Sequence, residues 1–157
     1  MNGKEAVALL LGSGWVKQEL TQFKAFGAVE GLQVVVSVRH WQANVPRHSG
    51  MLFRGFVYKN ELNALSQYDD TAYYPDVADY KATIQHKVCD FFNENLREVF
   101  KDFENYIVDF FISPEKVYIV RLNPFHTGVG ACLFTWNENA KVLTQSCLLY
   151  TSPSPRD

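Results

Sequence analysis

Two apolar runs, YIVDFFI at Tyr106 to Ile112 and KVYIVRL at Lys116 to Leu122, stand either side of a turn carrying Pro114 and Glu115. Runs this short and this rich in β-branched and aromatic residues read as strands. A parallel pairing needs a crossover of a dozen residues or more, so strands this close in sequence pair antiparallel. The pattern recurs earlier, at Met51 to Tyr58 and Leu62 to Gln67 around Lys59 and Asn60. Between the hairpins, Ile84, Val88, Phe92, Leu96 and Val99 recur at helical spacing. They predict a long helix from an N-cap at Asp76 to about Phe100. Two hairpins and one amphipathic helix make an α+β chain, an antiparallel sheet with a helix packed on it.

The remaining segments are shorter. Lys4 to Leu11 reads as a helix with Val7, Leu10 and Leu11 on one side, ended by Gly12 and Gly14. Trp15 to Phe23 reads as a second helical turn. Leu32 to Trp41 is a valine-rich strand, and Gln42 to Gly50 a loop broken by Pro46, Ser49 and Gly50. Tyr68 to Pro75 is a polar, tyrosine-rich loop, and Cys132 to Trp136 a short strand or the entry to a helix.

Composition excludes several function classes. Of 157 residues, 47% are apolar, which supports a packed core rather than disorder. The net charge of −2, without a Lys/Arg cluster, argues against a nucleic-acid phosphate track. No apolar run is long enough to span a bilayer. Cys89, Cys132 and Cys147 lack metal-ligand spacing, and a reducing, cytoplasmic compartment suits them.

Polar groups on apolar strands are the candidates for chemistry. Asp109 on one strand and Asn123 at the end of the next offer a carboxylate and an amide, oxygen donors of the kind magnesium prefers. Alone, the pair reads more commonly as an ordinary solvent-side strand carboxylate and a turn amide before Pro124. Alternation puts Leu52, Arg54, Phe56 and Tyr58 on one face, with Met51, Phe53, Gly55 and Val57 on the other. A guanidinium on a sheet face suits a phosphate or a carboxylate equally well.

The segments VSVRHW, FRGFV, ALSQY, YIVDFF, VYIVRLNPF and LFTW, in this order, resemble the cell division cycle protein 123 family. The resemblance covers roughly Ala6 to Val142. It implies the C-terminal half of an ATP-grasp fold within residues 1–146, with the first lobe missing. It also implies an ATP-dependent assembly chaperone for eukaryotic translation initiation factor 2 that contacts the gamma subunit, with no catalytic residue. In that family the strand holding Arg39, His40 and Trp41 meets the adenine through its backbone, and Gln42 follows within reach of the nucleotide. Arg54 matches a nucleotide-facing Arg. Asp109 and Asn123 match the first and third of three magnesium ligands.

Three positions depart from the family. Leu52 replaces a Glu, Tyr68 stands where a basic residue is expected, and Arg121 replaces the middle carboxylate ligand. If register sets Arg121 opposite Asp109, the two would form an ion pair in place of the metal. ATP and Mg2+ are thus implied by the family and opposed by Arg121 and Leu52. A carboxylate–amine ligase and a pseudo-nucleotide-binding interaction module are the competing readings. Without its first lobe the nucleotide-facing sheet should be open, with Leu52, Phe56 and Tyr58 facing the cleft. The last eleven residues, CLLYTSPSPRD, resemble one translated frame of a transposase-type sequencing adapter. Residues 147–157 are therefore expected to be non-native and, with Pro153 and Pro155, unpaired.

Overall fold

Lys59 and Asn60 both take left-handed backbone, φ 55° and 58°, in the computed structural model of the chain. Positive φ at both central residues defines a type I′ turn, whose twist matches that of paired strands. It joins β1 (Leu52–Tyr58) to β2 (Glu61–Gln67). The structure describes residues 2–25, 50–145 and 150–152. Residues 1–41 and 42–157 form two units.

In the first unit, α1 (Gly3–Gly12) starts with a capping box. Asn2 Oδ1 accepts from the Glu5 backbone N–H at 3.0 Å, and Glu5 Oε2 accepts from that of Asn2 at 2.9 Å. Ser13 is extended and ends the helix, and its hydroxyl then accepts from the Val16 N–H at 3.4 Å. The segment expected as one turn is a full helix, α2 (Gly14–Ala25). The strand expected at Leu32 to Trp41 lies outside the described residues.

The second unit is a sheet covered on both faces. Its strand order is β4-β3-β1-β2-β5, with β3 at Tyr106–Ile112, β4 at Val117–Pro124 and β5 at Tyr150–Ser152. Neighbours from β4 to β2 are antiparallel. β5 joins β2 in parallel, so three residues of the segment expected to stay unpaired do pair. On one face pack α3 (Pro75–Asp79), α4 (Lys81–Phe91) and a π-helical turn at Phe92–Leu96. Val77, Ile84, Val88, Phe92 and Leu96 bury there against Phe53, Val57, Leu65, Val108 and Phe110. Gly55 belongs to this face, and a Cβ on it would lie 2.8 Å from Phe110 and 2.9 Å from Leu62.

The helical segment departs from its expected form in three ways. It starts at Pro75 rather than being capped by Asp76, because proline's fixed φ suits the first helical position. Tyr80, at φ −100° and ψ 14°, divides α3 from α4. The π-helical turn, with Arg97 N–H bonded to the Phe92 carbonyl at 3.0 Å, inserts an extra residue and shifts the helical phase. Val99 is consequently 71% exposed, and Phe100 packs on the core instead.

The opposite face, expected to be open, is roofed by residues 125–145. Phe56, Ala64 and Ile107 are fully buried beneath Ala131, Phe134 and Leu143. Phe134 and Trp136 meet the Phe56 ring edge-on at 5.7 and 5.9 Å. Tyr58 lies against Phe125 at 5.6 Å. The segment Cys132 to Trp136 is neither strand nor helix but a series of turns leading into α5 (Ala140–Thr144). A bulge sets Phe56 opposite Ala64 and Val57 opposite Leu62, leaving Asn63 as the extra residue. Asn63 is buried and donates to the Leu143 carbonyl at 3.3 Å, which ties α5 to the sheet.

Candidate functional site

A polar row crosses the roofed face. Register places Ser66, Arg54, Asp109 and Arg121 opposite one another on β2, β1, β3 and β4. Three of the four are buried: Ser66 at 0%, Arg54 at 5% and Asp109 at 3% exposure.

Arg54 grips Asp109 with a two-pronged fork. Its Nε donates to Oδ1 at 2.7 Å and its Nη2 to Oδ2 at 2.9 Å. Its Nη1 donates to the Gly130 carbonyl in the roof. The Tyr68 ring lies 4.9 Å from the guanidinium carbon, a cation–π contact. Asn123 turns its Nδ2 toward Asp109 Oδ2 at 3.4 Å. Ser66 Oγ accepts from the Leu133 backbone N–H at 3.1 Å and donates to its own strand at Gln67. Two members of the row therefore hold the backbone of the roof.

Burial alone would depress the Arg54 pKa. The hydrogen bonds and negative charge of Asp109 outweigh that cost, and the net direction is upward. Burial pushes the nearby Cys132 thiol up to about 11, with Asp109 and Asp70 adding to the rise and Arg54 opposing it. Cys132 also holds left-handed backbone, φ 57°, beside the gripped Gly130.

The expected site residues separate into three groups. Arg54, Asp109 and Asn123 come together as one cluster. Arg39, His40 and Gln42 lie outside the described residues. Arg121 is opposite Asp109 in register, yet it is exposed and forms no ion pair among the described residues. The expected Arg121–Asp109 pair is thus corrected to Arg54–Asp109. The reason is solvation, because a guanidinium on an edge strand keeps its water and one on a central strand needs a buried carboxylate. Leu52 is half-buried at the end of β1, beside the row rather than in it.

This cluster does not fit a magnesium ion. Magnesium requires near-octahedral oxygen ligation. Both Asp109 oxygens already accept from a guanidinium, and the Asn123 amide presents its nitrogen. A dication about 4 Å from Arg54 would meet repulsion of several kcal/mol at intermediate dielectric. No group of three or more His, Cys, Asp or Glu residues able to hold a metal occurs among the described residues. Arg54 likewise spends its Nε, Nη1 and Nη2 on partners within the protein.

Reading the chain by alternation misses Ser66 and Gly130. Straight pairing from the Lys59–Asn60 turn sets Leu65 opposite Arg54, and only the bulge at Asn63 brings Ser66 there. Gly130 takes part through its carbonyl, which any residue carries.

Residues 2–148 match the model of the D123 family. The chain is 30% identical over 141 residues to a translation initiation factor eIF2 assembly protein of Dictyostelium discoideum, covering 87% of this chain and 36% of that protein. It is 33% identical over 102 residues to the protein of the same name from Danio rerio, covering 64% of this chain and 28% of that one. The chain thus spans about a third of the length of the curated relatives it matches. The solved structure of Cdc123 from Schizosaccharomyces pombe superposes with a TM-score of 0.73 at 23% identity, over 94% of this chain and 59% of that one. The fold is the α+β, ATP-grasp-like arrangement expected. No described helix is long and apolar enough to cross a membrane.

Proposed function

The chain belongs to the D123 family, that of cell division cycle protein 123, and on that premise we propose that it takes part in assembling translation initiation factor 2. The family match over residues 2–148, with relatives named as eIF2 assembly proteins, carries the reading. In this proposal the chain works in the cytoplasm as a chaperone that contacts the gamma subunit. ATP, where bound, meets the chain at Arg39, His40 and Gln42 rather than through magnesium at Asp109.

One observation favours an interaction module over a ligase. Acyl-phosphate chemistry needs metal-bridged phosphates and a charge clamp at the point of transfer. The forked Arg54–Asp109 pair occupies the groups that would supply them.

The test is direct binding. The purified full chain is immobilised and titrated with isolated gamma subunit of initiation factor 2, with the alpha subunit as control. Saturable binding of gamma alone is expected. Failure to bind any subunit overturns the proposal.

A further inference from the structure

We infer that the Arg54–Asp109 pair is a strut that stands where a divalent cation would be expected, fastening residues 125–145 across the sheet and closing Asp109 to metal. The inference is independent of any role in initiation-factor assembly.

The geometry carries it in three steps. First, Arg54 uses Nε, Nη1 and Nη2 within the protein, two on Asp109 and one on the Gly130 carbonyl. Both Asp109 oxygens thus face a guanidinium, and a dication there would have to compete with a fixed positive charge. Second, the bonds run between layers. Arg54 and Asp109 belong to the sheet, while Gly130 and Leu133 belong to the roof, reached by Arg54 and Ser66 respectively. Third, the roof is apolar directly beside the row, where Phe134 and Ala131 lie over Phe56 and Ile107. A carboxylate in such surroundings needs a cation, and the guanidinium supplies it in a fork that matches both oxygens. Asp109 and Arg54 are therefore positioning residues for the roof.

Manganese is the probe for the cation, because its unpaired electrons report binding by electron paramagnetic resonance. The full chain and Asp109→Asn are titrated with manganese chloride. The strut predicts indistinguishable titrations. Manganese binding by the natural chain that Asp109→Asn weakens tenfold or more overturns the inference.

Amide hydrogen exchange tests the fastening. Arg54→Lys keeps the charge and loses the fork. Arg54→Met and Asp109→Leu each remove one partner, and the double variant removes both. Exchange over residues 125–136 should quicken at least tenfold in Arg54→Lys and in each single apolar variant that folds. The double variant should exchange more slowly than either single one, because no charge is left unpaired. Unchanged exchange across that segment in Arg54→Lys overturns the fastening role, whatever the apolar variants do.

Discussion

Tyr106, at the start of β3, lies with its ring against that of Phe100, and its hydroxyl is buried without a hydrogen-bond partner among the described residues. A buried hydroxyl left unpaired costs about 1–3 kcal/mol relative to a satisfied one. Tyr106→Phe removes that cost and keeps the ring, so it should stabilise the protein by about 1 kcal/mol, read from urea unfolding at pH 7. Burial also pushes the Tyr106 pKa up to about 12 from an ordinary value of 10.0. A raised folded-state pKa gives a stability contribution that is whole below pH 10 and lost as pH rises toward 12. The stability of Tyr106→Phe should accordingly fall less steeply than that of the natural chain between pH 10 and pH 12. Equal slopes for the two proteins would show that the hydroxyl reaches solvent.

Single turns decide how the elements meet. At the first hairpin, Lys59 combines left-handed backbone with an N–H that donates to Asn105 Oδ1 at 2.9 Å. Proline fixes φ near −65° and removes the donor, so Lys59→Pro should cost about 3 kcal/mol or more. Lys59→Asn, a residue tolerant of left-handed backbone, should be neutral or stabilising by about 0.5 kcal/mol. Thermal melting of the two variants separates a true type I′ turn from a looser connection, in which both would behave alike. In the helical segment, the π-helical turn exchanges the roles of Val99 and Phe100. Val99→Lys should stay within about 0.5 kcal/mol of the natural chain. Phe100→Ala should cost about 2 kcal/mol. The reverse ranking would mean that the helix runs through Leu96 without the extra residue.

At the scale of the second unit, one sheet separates two cores. Val88 lies in the core beneath the helices and Leu143 in the core beneath the roof, and both are fully buried. Val88→Ala and Leu143→Ala should cost about 2 and 3 kcal/mol respectively, through lost contacts and the cavities left behind. Because they share no packing partner, the double variant should show the sum to within about 0.5 kcal/mol. A markedly smaller cost for Leu143→Ala would mean that the roof is already loose in the natural chain. The ion-pair strut acts in the same place. A buried pair adds little stability over an apolar replacement, but breaking it by removing one partner is expensive.

The sequence by itself determined the two hairpins, their antiparallel sense and the division of β1 into two faces. Those follow from a period of two and from turns too short for a crossover, both local properties. It also marked Arg54, Asp109 and Asn123 as candidate site residues through the family resemblance, while alternation assigned a face only to Arg54 on its own strand. What partners Asp109 was decided only by the tertiary structure. Arg121 and Arg54 are both opposite it in register and chemically equivalent, and the choice turns on which guanidinium the fold removes from water. The roof was equally out of reach, since residues 125–145 carry no strong period and gain their place from contacts with Phe56, Asn63 and Ser66 far away in the chain. Local pattern fixes which way a side chain points, and burial, a property of the whole fold, fixes what it must pair with.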